Sequence, residues 1–393
     1  MSGITHFGAD VLLAGIALAA ALAAGRLGAR VSLPAAALFL LGAAVASDVF
    51  PGLSISIDAV ERLATVALVV ILFDGGLSIG WRRFRGAAAP IVTLGVPGTF
   101  AVAGAVALFG HWALGLGWLT AGLLGAAVAP TDPAVVFSVL GDHPVRGRGR
   151  TILEGESGAN DPVGIALMLG LIQLATHADA TFWTVVRVFC EEMAIGIAVG
   201  VAGGLAVREL TRRVALPESG LTSLQMLAGA AIVYGVATVG RGSGFVAVFV
   251  AGLLVGDTRR RQAEGAAFRE ALSTVAEIVA FVALGLTIDL SGIGWRHWLD
   301  GIVVAAFLAL VARPVVAGAL LRPVRLTRGE RLFVLWGGLK GAVPILLAAF
   351  ALGAHVAHAQ RLYDTVFVVV LVSVVVQGGT VPYAARRLGL VRD

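Results

Sequence analysis

The chain is predicted to be an all-α polytopic membrane protein of about 13 transmembrane helices. Three observations predict this: its composition, the recurrence of apolar windows, and the placement of its arginines. Of 393 residues, 58 % are hydrophobic and 13 % charged, with a mean hydropathy of +0.94. That is too apolar for a soluble globular domain. Stretches of about 20 residues poor in charge recur along the whole length, each long enough to cross a bilayer.

In chain order the expected spans are 9–27; 34–49, short and closing on Asp48; 60–80 and 87–109, separated by Arg82–Arg85; and 117–140, interrupted by Ala129-Pro-Thr-Asp-Pro133. Then come 152–176, opened by an acidic cluster; 188–208, with Glu191 and Glu192 near its start; 221–240; and 244–256, short and closing on Asp257. The last four are 273–291, 299–321 with Arg313, 331–353 with an interruption around Lys340, and 363–385. The whole chain, 1–393, reads as a single transmembrane transporter domain without a cytosolic regulatory domain. No basic leader precedes the first apolar segment, so no signal peptide is expected. The single Cys190 excludes a disulfide within one chain and a cysteine-based metal site.

A net charge of +5 would suit nucleic acid, but the distribution of the charges argues against it. Basic residues gather at Arg26/Arg30, Arg82–Arg85, Arg146–Arg150, Arg208–Arg213, Arg259–Arg269, Arg322–Arg331 and Arg386–Arg392. These clusters fall on alternate loops and the C-terminus. The positive-inside rule puts that side in the cytoplasm. Thirteen spans with a cytoplasmic C-terminus then require an N-terminus outside.

Three pieces recur at one offset of 209 residues: Asp48 with Asp257, Gly75-Gly-Leu-Ser-Ile79 with Leu284-Gly-Leu-Thr-Ile288, and Ala129–Pro133 with Gly338-Leu-Lys-Gly-Ala342. The offset covers seven helices, an odd number, so the second copy is inverted. The repeats are 9–176 and 221–385, with 188–208 as linker helix. Inverted repeats are a mark of secondary transporters, whose sites lie near the midplane where the copies meet.

Both copies carry helix breakers at the same place: Pro130 and Pro133 in one, Gly337, Gly338, Gly341 and Pro344 in the other. Irregular backbone at membrane depth survives where it is buried in protein or lines a cavity. Two broken helices crossing expose half-helix ends, positive at N-termini and negative at C-termini. Asp132 can offset one positive end and Lys340, the only lysine of the chain, one negative end. Residues 154–162, Glu-Gly-Glu-Ser-Gly-Ala-Asn-Asp-Pro, head the sixth span. Asp161 is the deepest acid there, and an ionisable group inside a bilayer marks an ion path, a proton relay or a paired counter-ion.

Thr131-Asp132-Pro133, Gly155-Glu156-Ser157 with Asn160-Asp161, and Gly338-Leu339-Lys340-Gly341 together resemble the monovalent cation/proton antiporter family, over nearly the whole chain. The Asn160-Asp161 pair resembles its electroneutral branch, which holds sodium/proton and bacterial potassium/proton antiporters. The resemblance implies a six-helix core of crossed broken helices beside a dimerisation domain, a homodimer, an elevator-like cycle and a bacterial inner membrane. It implies that Asp161 alternately holds a proton and a cation, that Ser157 and Thr131 add oxygen ligands, and that Asp132 lines the crossing. Asn160 would orient the site, Glu156 would pair with Arg313, and Asp74 in Phe73-Asp74-Gly75-Gly76-Leu77 is a further polar position. Lys340 replaces the arginine common in this motif, and a lysine can lose its proton when buried where an arginine essentially cannot. Stretches 331–350 and 73–76 look closer to the potassium/proton subgroup, whose members often carry a cytosolic nucleotide-binding tail. No such tail is expected within residues 1–393.

The expected function is exchange of K⁺ or Na⁺ for H⁺, electroneutral and one for one, for pH and cation homeostasis. The partners are the ions and the lipid bilayer, with no cofactor and no nucleic acid. Alternatives are a channel-like cation efflux system or a sodium-coupled solute symporter on the same fold. An intramembrane enzyme is disfavoured, since His111, His143, His177, His355 and His358 fall near span ends and no facing aspartate pair in a protease motif is present.

Overall fold

The computed structural model describes residues 33–53, 55–140, 147–214, 219–257 and 265–391, with isolated positions 15, 19 and 23. Apart from positions 15, 19 and 23, the expected first span lies outside the described residues, as do Arg26, Arg30, His143, Arg146, Arg259–Arg261 and Arg392. Among the described residues every regular element is helical. They are α1 (Ala35–Val49), α2 (Ile57–Thr93), α3 (Thr99–Leu114), α4 (Trp118–Val128), α5 (Pro133–Leu140), α6 (Gly149–Thr176), α7 (Phe182–Arg213) and α8 (Ser219–Val239). There follow α9 (Gly244–Val255), α10 (Ala266–Gly285), α11 (Trp295–Phe307), α12 (Arg313–Leu320), α13 (Arg328–Trp336), α14 (Ala342–Gly353), α15 (Ala359–Val372) and α16 (Gly379–Arg387).

These elements form the twelve expected spans from the second onward, two of them broken: α4/α5 and α13/α14. Five helical stretches are long and apolar enough to cross a membrane by themselves; α1, α4, α9 and α14 are shorter apolar helices. Three π-helical segments, Leu94–Gly98, Leu308–Ala312 and Ser373–Gly378, join α2 to α3, α11 to α12 and α15 to α16. Such widened turns frequently lie at functional sites.

Some boundaries differ from the sequence reading. The spans placed at 60–80 and 87–109 are not separated by a loop: α2 runs through Arg82–Arg85, leaving helical torsions only at Gly80 (φ 67°) and Ala87. Gly80 tolerates the left-handed backbone, and the Arg82 N–H is taken up by the Asp257 carboxylate at 3.2 Å. The tenth span is 266–285 rather than 273–291, because Asp48 accepts N–H bonds from Leu290 and Ser291, both at 3.0 Å, and holds that segment as a turn. The linker helix is 182–213 rather than 188–208, begun by a Thr181 N–H bond to the Thr184 hydroxyl and closed by Glu209 pairing with Arg212 and Arg213.

The spacing of 209 residues reappears as contacts. Asp48 holds the Ser291 N–H, and its mate Asp257 holds that of Arg82, the mate of Ser291. A Cβ on Gly76 would meet Phe249 and Leu253 of α9; one on its mate Gly285 would meet Leu40 and Ala44 of α1, their mates. Thus α2 packs on α9 as α10 packs on α1, and α2 and α10 pack on each other. One interhelical contact is made twice, and small residues allow the close approach in both.

At the arginine-rich end, Glu330 clasps two elements. Its Oε1 accepts from the Arg148 N–H at 2.7 Å, and its Oε2 accepts from the Thr327 N–H and hydroxyl at 2.8 and 2.9 Å. The Thr327 hydroxyl in turn accepts from the Glu330 N–H, completing a capping box that starts α13. Burial works against the ionised carboxyl, but the N–H groups of Thr327 and Arg148 outweigh it and hold it below its usual value of 4.5. A value lower in the folded state stabilises the fold in full above pH 4.5, and that contribution fades as pH falls through the folded value. Glu330→Gln should therefore lower stability at pH 7 by about 1 kcal/mol, the usual worth of a cap. In scanning fluorimetry of detergent-purified protein, the gap to the unsubstituted chain should close on acidification below pH 4.5.

Candidate functional site

The two breaks meet. Residues 129–132 leave helix between α4 and α5, residues 337–341 do so between α13 and α14, and the Asp132 N–H donates to the Leu339 carbonyl at 2.8 Å. Breaking a helix in a buried place strips its ends of partners, and each must be supplied locally. The C-terminal end of α4 offers the Ala129 and Pro130 carbonyls, which receive the Lys340 ammonium at 2.9 and 3.0 Å. The C-terminal end of α13 offers Val334, Leu335 and Trp336. Arg313 donates to the first two at 2.9 and 3.0 Å, and the Gln377 amide donates to the third at 2.6 Å.

At the N-terminus of α14 a Cβ on Gly341 would fall 1.9 Å from the Asp132 Oδ2, so that carboxylate lies directly on the positive end. Only glycine leaves it room. Gly338 likewise makes space for the Arg313 guanidinium, whose Nε would stand 1.9 Å from a Cβ there. The α5 half-helix begins with Pro133, which has no N–H to leave unpaired.

Arg313 also meets Glu156 through two parallel bonds of 2.7 and 3.0 Å, with both side chains buried. Five residues along α6 stands Asp161, whose Oδ2 receives the Ser157 hydroxyl at 3.4 Å. Asn160 donates its amide to the Thr131 hydroxyl at 2.8 Å, tying α6 to the first break. Asp161 Oδ1 and Asn160 Oδ1 are buried acceptors with no hydrogen-bond partner. Thr131, Ser157, Asn160 and Asp161 are all buried, between 2 % and 7 % exposed. Among the described residues no three His, Cys, Asp or Glu side chains converge as a metal site. The oxygens gathered here, carboxylate, hydroxyl and amide, suit a hard alkali cation rather than a transition metal.

Of the expected site residues, the structure brings Thr131, Asp132, Glu156, Ser157, Asn160, Asp161, Arg313 and Lys340 together around the crossing. Asp74 stands apart on α2, 3.7 Å from the Arg269 guanidinium of α10. Sequence reasoning missed Ser373 and Gln377. Ser373 accepts the Lys340 N–H at 3.0 Å and donates to Gln377 Oε1 at 3.2 Å. The signal was present as two polar residues four apart, one helical turn, in an otherwise valine run.

Crossed broken helices with buried, unpaired oxygens at their meeting point define a secondary ion transporter fold. The chain belongs to the sodium/hydrogen exchanger family: the family model "Sodium/hydrogen exchanger, transmembrane" matches residues 13–387. It is 35 % identical over 388 residues to the K(+)/H(+) antiporter NhaP of Alkalimonas amylolytica, covering 97 % of this chain and 67 % of that protein. It is 32 % identical to the K(+)/H(+) antiporter NhaP2 of Shewanella sp. strain ANA-3, covering 91 % and 63 %. With the low-affinity Na(+)/H(+) antiporter NhaS1 of Synechocystis it shares 30 % identity, covering 85 % and 66 %. The chain thus spans about two thirds of the length of these relatives. The sodium proton antiporter MjNhaP1 of Methanocaldococcus jannaschii, 22 % identical, has the same fold, with a TM-score of 0.81 over 96 % of this chain and 98 % of that one. The protein is a multi-pass membrane protein of a transporter family.

Two predictions follow from the buried charges. Removing one partner of the Glu156–Arg313 pair leaves the other bare, which costs about 3–5 kcal/mol. Glu156→Gln and Arg313→Met should each lower thermal stability strongly, and the double change should cost less than their sum; strictly additive losses in the cycle would contradict direct pairing. Lys340→Met leaves two buried carbonyls without a donor, a loss of about 1–3 kcal/mol per group. Lys340→Arg keeps charge and donors, so it should hold both stability and the pH profile of activity. A displaced pH optimum in Lys340→Arg would show that the ammonium does more than cap α4.

Proposed function

We propose that the chain exchanges a monovalent cation, K⁺ or Na⁺, for a proton, with both competing for Asp161. The observation that carries this reading is the pair of unpartnered buried oxygens, Asp161 Oδ1 and Asn160 Oδ1, facing the break where Thr131 and Ser157 add hydroxyls. A dehydrated alkali ion needs several oxygens, and at the crossing two unsatisfied ones stand beside two hydroxyls. Asn160 orients the site through its amide bond to Thr131. Glu156, Arg313, Lys340 and Asp132 serve the helix ends, so the exchangeable charge falls on Asp161.

One carboxylate cannot hold a proton and a cation together. With either, the site is neutral; with neither, it carries a bare charge at membrane depth, which is costly to move. This discourages the empty site from crossing and couples the two fluxes. Because Asn160 adds no charge, both loaded forms cross with the same net charge and exchange is one for one. The relatives named as K(+)/H(+) antiporters and the one named as a Na(+)/H(+) antiporter support a monovalent cation as cargo. The duplicated α2/α9 and α10/α1 contacts support two inverted copies, 9–176 and 221–385, within one transporter domain. The exposed apolar residues of α7 and α8, among them Trp183, Ile197, Val201, Leu205, Ile232 and Val236, suit lipid and a second copy of the chain. We place the protein as a homodimer in the bacterial inner membrane, with the N-terminus outside and the C-terminus in the cytoplasm.

Asp161→Asn should abolish cation-driven proton flux in proteoliposomes while the protein still inserts and stays monodisperse; flux that persists would refute the assignment. In the unsubstituted protein, sodium-driven proton flux should not respond to a valinomycin-clamped potential. Each uncompensated charge would feel about 2.3 kcal/mol per 100 mV, so a rate or end-point gradient that tracks the clamp would disprove one-for-one exchange. Flux that needs no proton gradient and does not saturate would point to a channel instead.

A further inference from the structure

Glu277 has no part in the site described above. It lies mid-way along α10, about 17 Å of helix axis from Ala266 and about 12 Å from Gly285. Asp161 likewise lies well inside its helix, about 18 Å along α6 from Gly149 and about 22 Å from Thr176. Beside Glu277 on its own helix, Ala276 and Ala280 pack against Ala67 of α2, and Ala342, Val70 and Ile71 pack on the same cluster. Ala342 opens α14 and follows Gly341, the residue on which the Asp132 carboxylate lies. Four alanines at this junction let α10 approach the helix crossing closely, and Glu277 follows directly on one of them, Ala276.

Among the described residues Glu277 makes no hydrogen bond and no ion pair, whereas the neighbouring α10 cation, Arg269, is already engaged with Asp74. Alanine neighbours need no carboxylate for packing, and a carboxylate at mid-membrane depth without a structural partner is expensive to keep. Its position fits a ligand: on the α2/α10 side of the crossing, beside the alanine cluster on which Ala342 packs, directly after the Gly341 that the Asp132 carboxylate covers. Three carboxylates along one short path let an alkali cation exchange water for oxygen ligands stepwise instead of all at once.

We propose that Glu277 is a second, transient binding position for the transported cation, facing the crossing from α10 and passing the ion to and from Asp161 beside Asp132. The inference rests on cation/proton exchange at Asp161. A group that binds the ion on the way acts on its apparent affinity, while a packing group acts on stability.

The test is initial proton flux in proteoliposomes over a range of Na⁺ and of K⁺ at fixed pH, for the unsubstituted protein, Glu277→Gln, Glu277→Asp and Asp161→Asn. Glu277→Gln should raise the KM for both cations about tenfold with the maximal rate held within about twofold. Glu277→Asp, which keeps the charge on a shorter stem, should recover most of the affinity and alter the Na⁺:K⁺ ratio of KM. An unchanged KM in Glu277→Gln, or an equal rise in both variants, would overturn the proposal. If Glu277→Gln does not yield monodisperse protein, Glu277→Asp decides alone: a changed Na⁺:K⁺ ratio supports the second position and an unchanged ratio overturns it. No exchange by the unsubstituted protein with either cation would defeat the antiport reading itself. Normal exchange with an insensitive Glu277→Gln defeats only the second position.

Discussion

The structure depends on supplying partners to the half-helix ends that two broken spans leave in the middle of a membrane. An unbroken helix hides its polar ends at the aqueous surfaces, but α4/α5 and α13/α14 bring theirs into the interior, where an unpaired backbone group is costly. The solution is reciprocal. Lys340, from the second break, closes the carbonyl end of α4 before the first, and Asp132, from the first break, lies on the amide end of α14 after the second. The single backbone bond from Asp132 to Leu339 fixes the register between them. Neither broken helix is complete without the other.

The charges used for this purpose come close to balancing, and that balance makes the remaining carboxylate available. Arg313 is shared between the carbonyl end of α13 and Glu156, with four of its donors engaged. The α12 helix that carries it starts directly after the π segment Leu308–Ala312, which sets the direction of the guanidinium towards Gly338. The π segment Ser373–Gly378 positions Ser373 and Gln377 against the other side of the second break. With lysine, arginine, glutamate and Asp132 all assigned to helix ends, Asp161 is left with one long bond to Ser157 and a free oxygen.

Much of this was legible in the sequence because membrane burial makes polar residues informative. The acid before Pro162, the lone lysine and the two clusters of helix breakers each stood out against an apolar background, while the Glu156–Arg313 pairing came from the family resemblance. Helix ends were less legible: hydropathy averages over the Arg82–Arg85 segment, where α2 continues because Gly80 bends it without ending it, and it cannot foresee that Asp48 would hold Leu290 and Ser291 in a turn. Ser373 and Gln377 were lost for a related reason. Uncharged polar residues on a valine-rich span look like ordinary interhelical hydrogen bonding, and only the geometry shows that they serve the backbone of the second break. Asp74 was readable as an intramembrane acid but not as a partner of Arg269, 195 positions further along the chain.

The duplicated contacts divide the molecule in a way that bears on how the ion crosses. In α1, α2, α9 and α10 the same glycine-mediated approach and the same aspartate-to-N–H bond occur twice, so these four unbroken helices form a symmetric, mutually interlocked frame. At the crossing the two copies have diverged: where the first break has Thr131 and Asp132 beside Asp161, the second has Lys340 beside Ser373 and Gln377. Inverted copies are related by a pseudo-two-fold axis in the membrane plane, and alternating access in transporters so built is largely the rocking of one copy against the other. Symmetry is broken at the crossing: the position equivalent to Asp161 is Val370 and that equivalent to Lys340 is Thr131, so neither the buried carboxylate nor the lysine is duplicated. The frame is therefore the same from both sides of the membrane, whereas the crossing it holds is not.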